Sequence, residues 1–483
     1  MPSPDRPLLL LLLLVGCAGQ SSRQETIARG AVADDAGGAD AAADAPGPAD
    51  ASTDGATAGV DAGLALLGAP LVFAPTAQGF GISVVLRAGD PGTLTAEVRD
   101  ADEPTWRTLP APLTPAPDIA QWTADGLAAG RRYLYRIATA GDAGPGLLYS
   151  GSATTAPAPG TPFSFALITD THIEPRDPVP PGQTVVGDAY GIMESTLLAV
   201  SAQVAMAQPD FVINLGDMLD YHIFGFNAPP PDAAWARLGY LNYRRLLGDT
   251  TGRAAHFPVI GNWDGESGCN SPDEIQRSLS QRLLYAPGPA PATYPEGGSA
   301  NGDYYAFTWG DALFVVLNVM TYTPTCHLLY EEPGLPDDWT LGAAQLAWLT
   351  QTLAQATSKW RFLFIHHTVG GAAGDVYDTA YGRGGGQAAR VGEQAKIHAL
   401  MLQYGVQVFF YAHDHVFTDI VVDGIHYLLP GSAGAPWKFD GSQTGYAHYW
   451  PDSGYARVAV TPAETQVDMI NVDGETLESL SLR

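Results

Sequence analysis

The sequence predicts an α/β domain preceded by a small all-β one. Three observations carry that expectation. From Phe163 onward, short apolar runs alternate with segments whose apolar residues recur at helical spacing, the pattern of strands laid between helices. Ahead of it, from residue 63 to 157, short β-type stretches are punctuated by turn signals. And five of the apolar runs lead directly into side chains that bind transition metals. Open α/β sheets bind ligands at the carboxyl ends of their strands, so those side chains stand where such a fold puts its site.

Size and charge bound the function classes. The 483 residues exceed one ordinary core, which predicts at least two domains. Lys and Arg number 24 against 51 Asp and Glu, a net charge of -27. That balance offers no electrostatic footprint for nucleic acid or for an anionic membrane surface. Any phosphate binding must then draw on local positive charge, which bound metal ions supply.

In chain order, residues 1–17 read as a targeting segment. Leu8–Val15 is apolar and too short to span a bilayer. It ends in Leu14-Val15-Gly16-Cys17, which resembles the bacterial lipoprotein cleavage box, in which the Cys is lipidated. The alternative is a plain secretory signal with a chance Cys. The expected location is the bacterial cell envelope, with the membrane reached through a lipidated Cys17. Residues 18–62, rich in Ala, Asp and Gly, have no means of burying a core and read as a disordered tether. A flexible coil from Ala31 to Ala62 spans about 30 Å r.m.s.. The remaining cysteines, Cys269 and Cys326, are an even pair in an oxidising compartment. A bridge between them would add about 4 kcal/mol in the chain-entropy description; two free thiols are the alternative.

Residues 63–157 carry strand candidates at Gly81–Leu86, Leu94–Val98, Arg132–Ile137 and Leu147–Ser150. The segment from Leu127 to Ile137, with Tyr133 and Tyr135, resembles the penultimate-strand region of fibronectin type III domains, where a Leu–turn–Tyr arrangement makes a tyrosine corner. Gly/Pro-rich Ala156–Pro162 reads as the linker to the second domain, residues 158–483. There the helices are expected at Ser195–Ala207, Asp232–Leu247 and Leu341–Ala356, the last with Leu346, Leu349 and Leu353 on one face. The tail reads as antiparallel strands at Tyr455–Val460, Glu464–Asn471 and Leu477–Leu482.

The five runs are Phe163–Thr169, leading to Asp170 and His172; Phe211–Leu215, to Asp217; Phe257–Ile260, to Asn262; Arg361–Ile365, to His366 and His367; and Val406–Tyr411, to His413 and His415. Alternate residues of a strand point the same way, so Asp170 and His172 are expected to reach one ion together, as are His413 and His415. A carboxylate at Asp217 has two oxygens and can bridge two ions. Nitrogen and oxygen donors without thiolate suit Mn, Fe or Zn, and seven protein ligands with one bridge serve two divalent or trivalent ions. A lone buried His is usually an ordinary core residue, but five of the 11 histidines cluster at these run ends.

The ordered set Asp170-x-His172, Gly216-Asp217, Gly261-Asn262, His366 and His413-x-His415 resembles the calcineurin-like metallophosphoesterases. The resemblance implies a four-layer α/β fold, two mixed β-sheets flanked by helices. It also implies one metal held by Asp170, His172, Asp217 and His415, and a second held by Asp217, Asn262, His366 and His413. A fibronectin-like segment ahead of it is similar to the purple acid phosphatase arrangement. The implied activity is hydrolysis of a small phosphomonoester by a hydroxide bridging the two ions. That chemistry needs no protein nucleophile, and no Gly-x-Ser-x-Gly elbow is present. The alternatives are a phosphodiesterase of the same superfamily and a catalytically weak, surface-anchored binding protein.

Three departures from the family pattern stand out. Trp263 occupies the position of a His that helps the phosphate and the leaving group; losing a general acid costs typically 10²–10⁴-fold. Asp220 stands where purple acid phosphatases have a Tyr ligand. Ala412 replaces a Gly. His367, His222 and Asp264 are the candidates for the missing proton donor, with His367 favoured; an ordinary polar loop role is the alternative for His222 and Asp264. Trp263 either walls the pocket or is a packed core aromatic. Gly382–Gln387 lacks the strand–loop–Lys context of a phosphate loop and reads as a loop near the site, and Gly431–Gly434 as a turn.

Overall fold

A computed structural model describes residues 64–139, 146–174, 194–220, 233–268, 270–322, 340–367, 392–435, 437–438 and 446–483. All belong to one compact unit, Ala58–Arg483. The targeting segment with Cys17, the tether, His222, Cys269, Cys326 and the loop Gly382–Gln387 lie outside the described residues.

The five apolar runs form strands, each stopping before its ligand-type residues: Phe163–Ile168, Phe211–Asn214, Ala255–Pro258, Trp360–Phe364 and Val408–Phe410. The first three are parallel neighbours in one sheet, and the last two are parallel neighbours in a second. The tail strands Gly454–Val460, Thr465–Asn471 and Thr476–Leu482 extend the first sheet antiparallel. Tyr305–Trp309, Ala312–Val316, Phe417–Val422 and Ile425–Pro430 complete the second.

Strand alternation explains why the runs are continuously apolar. Phe163, Phe165 and Leu167 face the second sheet, while Ala166 and Ile168 face helices. Phe362 and Phe364 point inward, Leu363 and Ile365 outward. Both faces are covered, so apolar residues dominate and the buried polar ones, Asn214 and His256, are bonded to Tyr243. The inter-sheet layer is a stack of aromatic rings: Phe165 on Phe211 at 5.2 Å, Phe257 on Phe307 at 4.2 Å and Phe364 on Phe410 at 5.1 Å between centroids.

Helices cover the outer faces. Glu194–Ala207, Ala233–Leu246 and Pro272–Tyr285 bury Leu197, Val200, Tyr240 and Tyr285 against the first sheet. Gly342–Gln355 and Gly392–Tyr404 bury Leu349, Leu353, Ile397 and Met401 against the second. The layers are therefore helix, sheet, sheet, helix. The start of Pro272–Tyr285 is written in the sequence: Ser271 and Glu274 form a reciprocal capping box ahead of a Pro in the first turn.

The residues ahead of Phe163 are all-β. Arg107–Thr108, Leu94–Asp100, Arg132–Thr139 and Gly146–Thr154 make a four-stranded sheet. Tyr133 Oη accepts the Ala128 N–H at 2.8 Å, closing the expected Leu–turn–Tyr corner. A second group, Leu71–Thr76, Gly79–Ala88, Leu113–Ala116 and Ile119–Ala124, joins the first sheet of the α/β part through pairing of Phe73 with His256, so that one sheet runs to eleven strands. The segment read as a linker is anchored: Ala156 N–H donates to the Thr76 carbonyl at 3.0 Å, and Gly160 N–H to Asp311 Oδ2 at 2.7 Å. Fully buried Arg244 donates to both the hydroxyl and the carbonyl of Ser83.

Candidate metal centre

The loops that follow the five strands lie side by side. Asp170 N–H donates to the Gly216 carbonyl at 3.0 Å, His172 N–H to that of Asp217 at 2.9 Å, and Ala412 N–H to that of His366 at 2.9 Å. Parallel pairing thus continues past the strand ends without strand geometry. Asp170, His172, Asp217, His413 and His415 all have left-handed backbone, with φ of 49°, 45°, 50°, 80° and 59°. Among the described residues only three other non-glycine positions do, Ala74, Gln208 and Asp423. Such conformations persist only where the surroundings over-determine them, and they collect at functional sites.

This corrects the geometric expectation from the sequence. Asp170 and His172 do not share a strand face, because their strand ends at Ile168; likewise His413 and His415 follow a strand ending at Phe410, and they do not reach one ion together, since their donor atoms fall in different groups. Repeated left-handed turns aim the side chains, not strand alternation. His366 and His367 also lie beyond their strand, which ends at Phe364. His367 is thereby brought to the site, its ring 4.6 Å from that of His413.

The two glycines of the motifs have steric reasons. Gly216 has φ of 102°, and a Cβ there would meet Gly261 N at 2.8 Å. A Cβ on Gly261 would meet Asp217 Oδ1 at 2.1 Å, closer than any real contact.

All seven candidate ligands are brought together. Donor atoms of Asp170, His172, Asp217 and His415 lie within 4.8 Å of one another, and so do those of Asp217, His366 and His413. Asn262 Oδ1 is 3.1 Å from His366 Nε2 and 3.0 Å from His413 Nδ1. Asp217 is common to both groups. His415 Nε2 meets Asp170 Oδ1 at 3.3 Å, and His366 Nε2 meets Asp217 Oδ2 at 3.1 Å. Their orientations are set from behind. His366 Nδ1 faces the Leu215 carbonyl at 2.9 Å and His415 Nδ1 that of Trp437 at 3.0 Å, which leaves Nε2 toward the cluster. Thr169 donates to Asp170 Oδ2 at 2.9 Å, and Trp263 N–H to Asp217 Oδ1 at 2.8 Å.

These residues fit a cation. Asp170 Oδ1 and Asp217 Oδ2 are buried and find no hydrogen-bond donor of acceptable geometry, and the Nε2 atoms of His172 and His415 face each other at 3.3 Å. Lone pairs crowded in a dry site are stable only around positive charge. The electrostatics agree. Burial would raise the Asp170 carboxyl, but His415, His366 and His172 outweigh it and hold the group down at about 2. Burial pushes His172 down to about 4. Burial also opposes charge on His366, yet Asp217 and Asp170 raise it to about 9.

Other expected positions resolve differently. Both oxygens of Asp264 are occupied by backbone, Oδ1 accepting from Leu219 N–H at 3.0 Å and Oδ2 from Gly261 N–H at 2.8 Å. Asp264 therefore ties the Asp217 loop to the Asn262 loop and does not face the cluster as a donor. Asp220 is buried but outside both donor groups. Burial, Glu174 and Asp217 raise its carboxyl to about 8. Trp263 and Trp437 flank His172, their ring centroids 5.7 and 4.9 Å from its own. The role of Trp437 escaped sequence reasoning: the preceding Gly431–Gly434 read only as a turn, and a carbonyl acceptor leaves no mark in residue type.

The model of the calcineurin-like phosphoesterase family matches residues 163–417. No curated protein matches the chain. Among solved structures, GAP50, described as the anchor in the inner membrane complex of Plasmodium, is 14% identical with a TM-score of 0.39, covering 67% of this chain and 89% of its own. Zinc-bound Vps29 from Entamoeba histolytica is 11% identical with a TM-score of 0.25, covering 66% of this chain and 98% of its own. A fibronectin type III domain of human collagen XX is 22% identical with a TM-score of 0.17, covering 21% of this chain and 99% of its own. The family match spans more than half of the chain and contains every residue of the buried Asp/His cluster; the chain belongs to the calcineurin-like phosphoesterase family.

Proposed function

We propose that this chain is a phosphomonoester hydrolase that works with two metal ions, in the manner of the purple acid phosphatase-like branch. The observation that carries the reading is the sharing of Asp217 between two donor groups, Asp170/His172/His415 and His366/His413. Asn262, against His366 and His413, completes the second set. Bound there, Mn, Fe or Zn ions would supply Lewis acidity toward a phosphoryl oxygen and lower the pKa of water. The protein's part is to fix the donors. Thr169, Leu215 and the backbone of Trp263 hold Asp170, His366 and Asp217 in place. His367, against His413, is the residue we assign to protonate the leaving group. The Tyr133 corner supports a fibronectin type III-like domain ahead of the catalytic one. Envelope anchoring through Cys17 belongs to the same proposal and is tested by lipid labelling of wild type against Cys17→Ser.

A phosphodiester substrate is the second reading, favoured by Trp263: a diester with a good leaving group needs less protonation, and an indole transfers no proton. Metal-reconstituted protein assayed on a nitrophenyl monoester and diester decides between them. Faster turnover of the monoester supports the proposal, and preference for the diester supports the second reading. Bound metal with hydrolysis of neither sinks both.

A further inference from the structure

The chain has three lysines, Lys359, Lys396 and Lys438, and the last lies within electrostatic reach of Asp170. The segment that carries it is laid over Asp170: Ala433 N–H donates to the Thr169 carbonyl at 2.8 Å, and Ala435 N–H to that of Asp170 at 3.0 Å. The neighbouring residue, Trp437, packs its ring on His172 and His415 at 4.9 and 5.2 Å and offers its carbonyl to His415. An ammonium has three donors. Two of Lys438's go to Ser432 Oγ at 2.5 Å and the Ala435 carbonyl at 2.8 Å. Among the described residues, no carboxylate forms an ion pair with it.

A cation held this way, in a chain of net charge -27, points to an anion that is not part of the protein. Burial pushes the Lys438 amine down to about 8, partly offset by Asp170 and Asp452. Metal ions bound by the cluster would add their positive charge to that of the ammonium, against the carboxylates of Asp170 and Asp217. Such a field favours a dianion over a monoanion. The charge also answers a deficit, since Trp263 brings no cationic N–H to the phosphate.

We propose that Lys438 is the anion-binding residue of this site, donating its third N–H to a phosphate oxygen and biasing the site toward dianionic phosphomonoesters. The inference rests on the phosphoesterase reading for its substrate, and phosphate binding separates the two. Inorganic phosphate is titrated calorimetrically into metal-loaded wild type, Lys438→Met, Lys438→Arg and Ser432→Ala, with metal content measured in each. Lys438→Met should weaken phosphate about tenfold at unchanged metal content, near the value of one charge-assisted hydrogen bond. Lys438→Arg should restore most of the loss. Ser432→Ala, which removes a brace but keeps the charge, should stay within about twofold of wild type. On turnover, Lys438→Met should raise KM for a monoester about tenfold while KM for a diester moves less than about twofold. Phosphate affinity unchanged in Lys438→Met, or lost equally in Ser432→Ala, overturns the proposal, as does a wild type that binds no phosphate. Lys438→Gln repeats the comparison if the methionine variant fails to fold. Lys438-dependent phosphate binding with no turnover on any ester would sink the hydrolase reading and leave this one standing.

Discussion

The backbone N–H of Trp263 donates to Asp217 Oδ1 at 2.8 Å. A main-chain group, indifferent to the side chain it carries, thus holds the carboxylate shared by both donor groups. That explains how an indole can occupy the position where the family has a histidine without loosening the cluster.

Trp263→His should therefore leave metal content unchanged and add a proton donor. The expected gain is about 10–100-fold in kcat on a monoester with a poor leaving group, at the low end of what general acid catalysis contributes. An activated nitrophenyl ester should gain much less. Equal gains on both esters would mean that the substitution acts through packing and not through proton transfer.

Gly261→Ala probes the close approach between the second and third loops. Its Cβ would fall 2.1 Å from Asp217 Oδ1, so the Asp217 loop must shift. Stability should drop by about 1–3 kcal/mol, in the range of overpacking, and bound metal should fall toward zero. Denaturant unfolding and metal analysis of the purified variant check both. A variant with full metal content would show that the loops tolerate displacement.

Metal loading should release a proton near neutral pH. His366 is raised to about 9 in the metal-free protein, so it is protonated at pH 7 and must lose that proton to become a ligand. Affinity should rise with pH up to about 9 and level off above it. The stability sign follows: a histidine with a raised folded-state pKa contributes most below the ordinary value of about 6.5, and that contribution is lost as pH rises through 9. Calorimetric titration of Mn²⁺ in buffers of different ionisation enthalpy measures the proton count. No proton release at pH 7 would contradict the assignment of charge to His366.

Much of this was legible in the sequence. The runs from Phe163, Phe211 and Phe257 had to be buried strands, and the residues after them had to meet at one edge. The helix Pro272–Tyr285 was not among those expected, although its capping box, Ser271-Pro-Asp-Glu274, stands in the sequence. The positive φ of Asp170, His172, Asp217, His413 and His415 was not legible, because Asp and His enter the left-handed region more readily than most residues but still only in a small minority of positions. The reason first given for Asp170 and His172 converging, a shared strand face, therefore failed although the residues do converge. Nor did the sequence announce the joining of the N-terminal strands to the main sheet, through the pairing of Phe73 with His256, Arg244 on Ser83, Arg237 on Asp118, and hydrogen bonds of Tyr135 to the Gly252 carbonyl, Thr251 to that of Pro70 and Tyr294 to that of Pro75.

That join has its own consequence. Arg244 is 1% exposed, and its guanidinium spans from the α/β helices to a strand of the N-terminal region. Arg244→Ala leaves a cavity and unpaired acceptors at Ser83, which should cost about 3–5 kcal/mol of global stability. A single unfolding transition shifted as a whole is expected. Two transitions, with the later one unmoved, would mean that the N-terminal strands fold as an independent bead.

The sharing of Asp217 is tested most directly by counting ions. Metal-reconstituted wild type should carry two ions per chain by plasma mass spectrometry, and Asp217→Asn should lose both together with at least about 10³-fold in phosphoester turnover. A wild type that saturates at one ion, or an Asp217→Asn protein that keeps both ions and its activity, would contradict a site built around a bridging carboxylate.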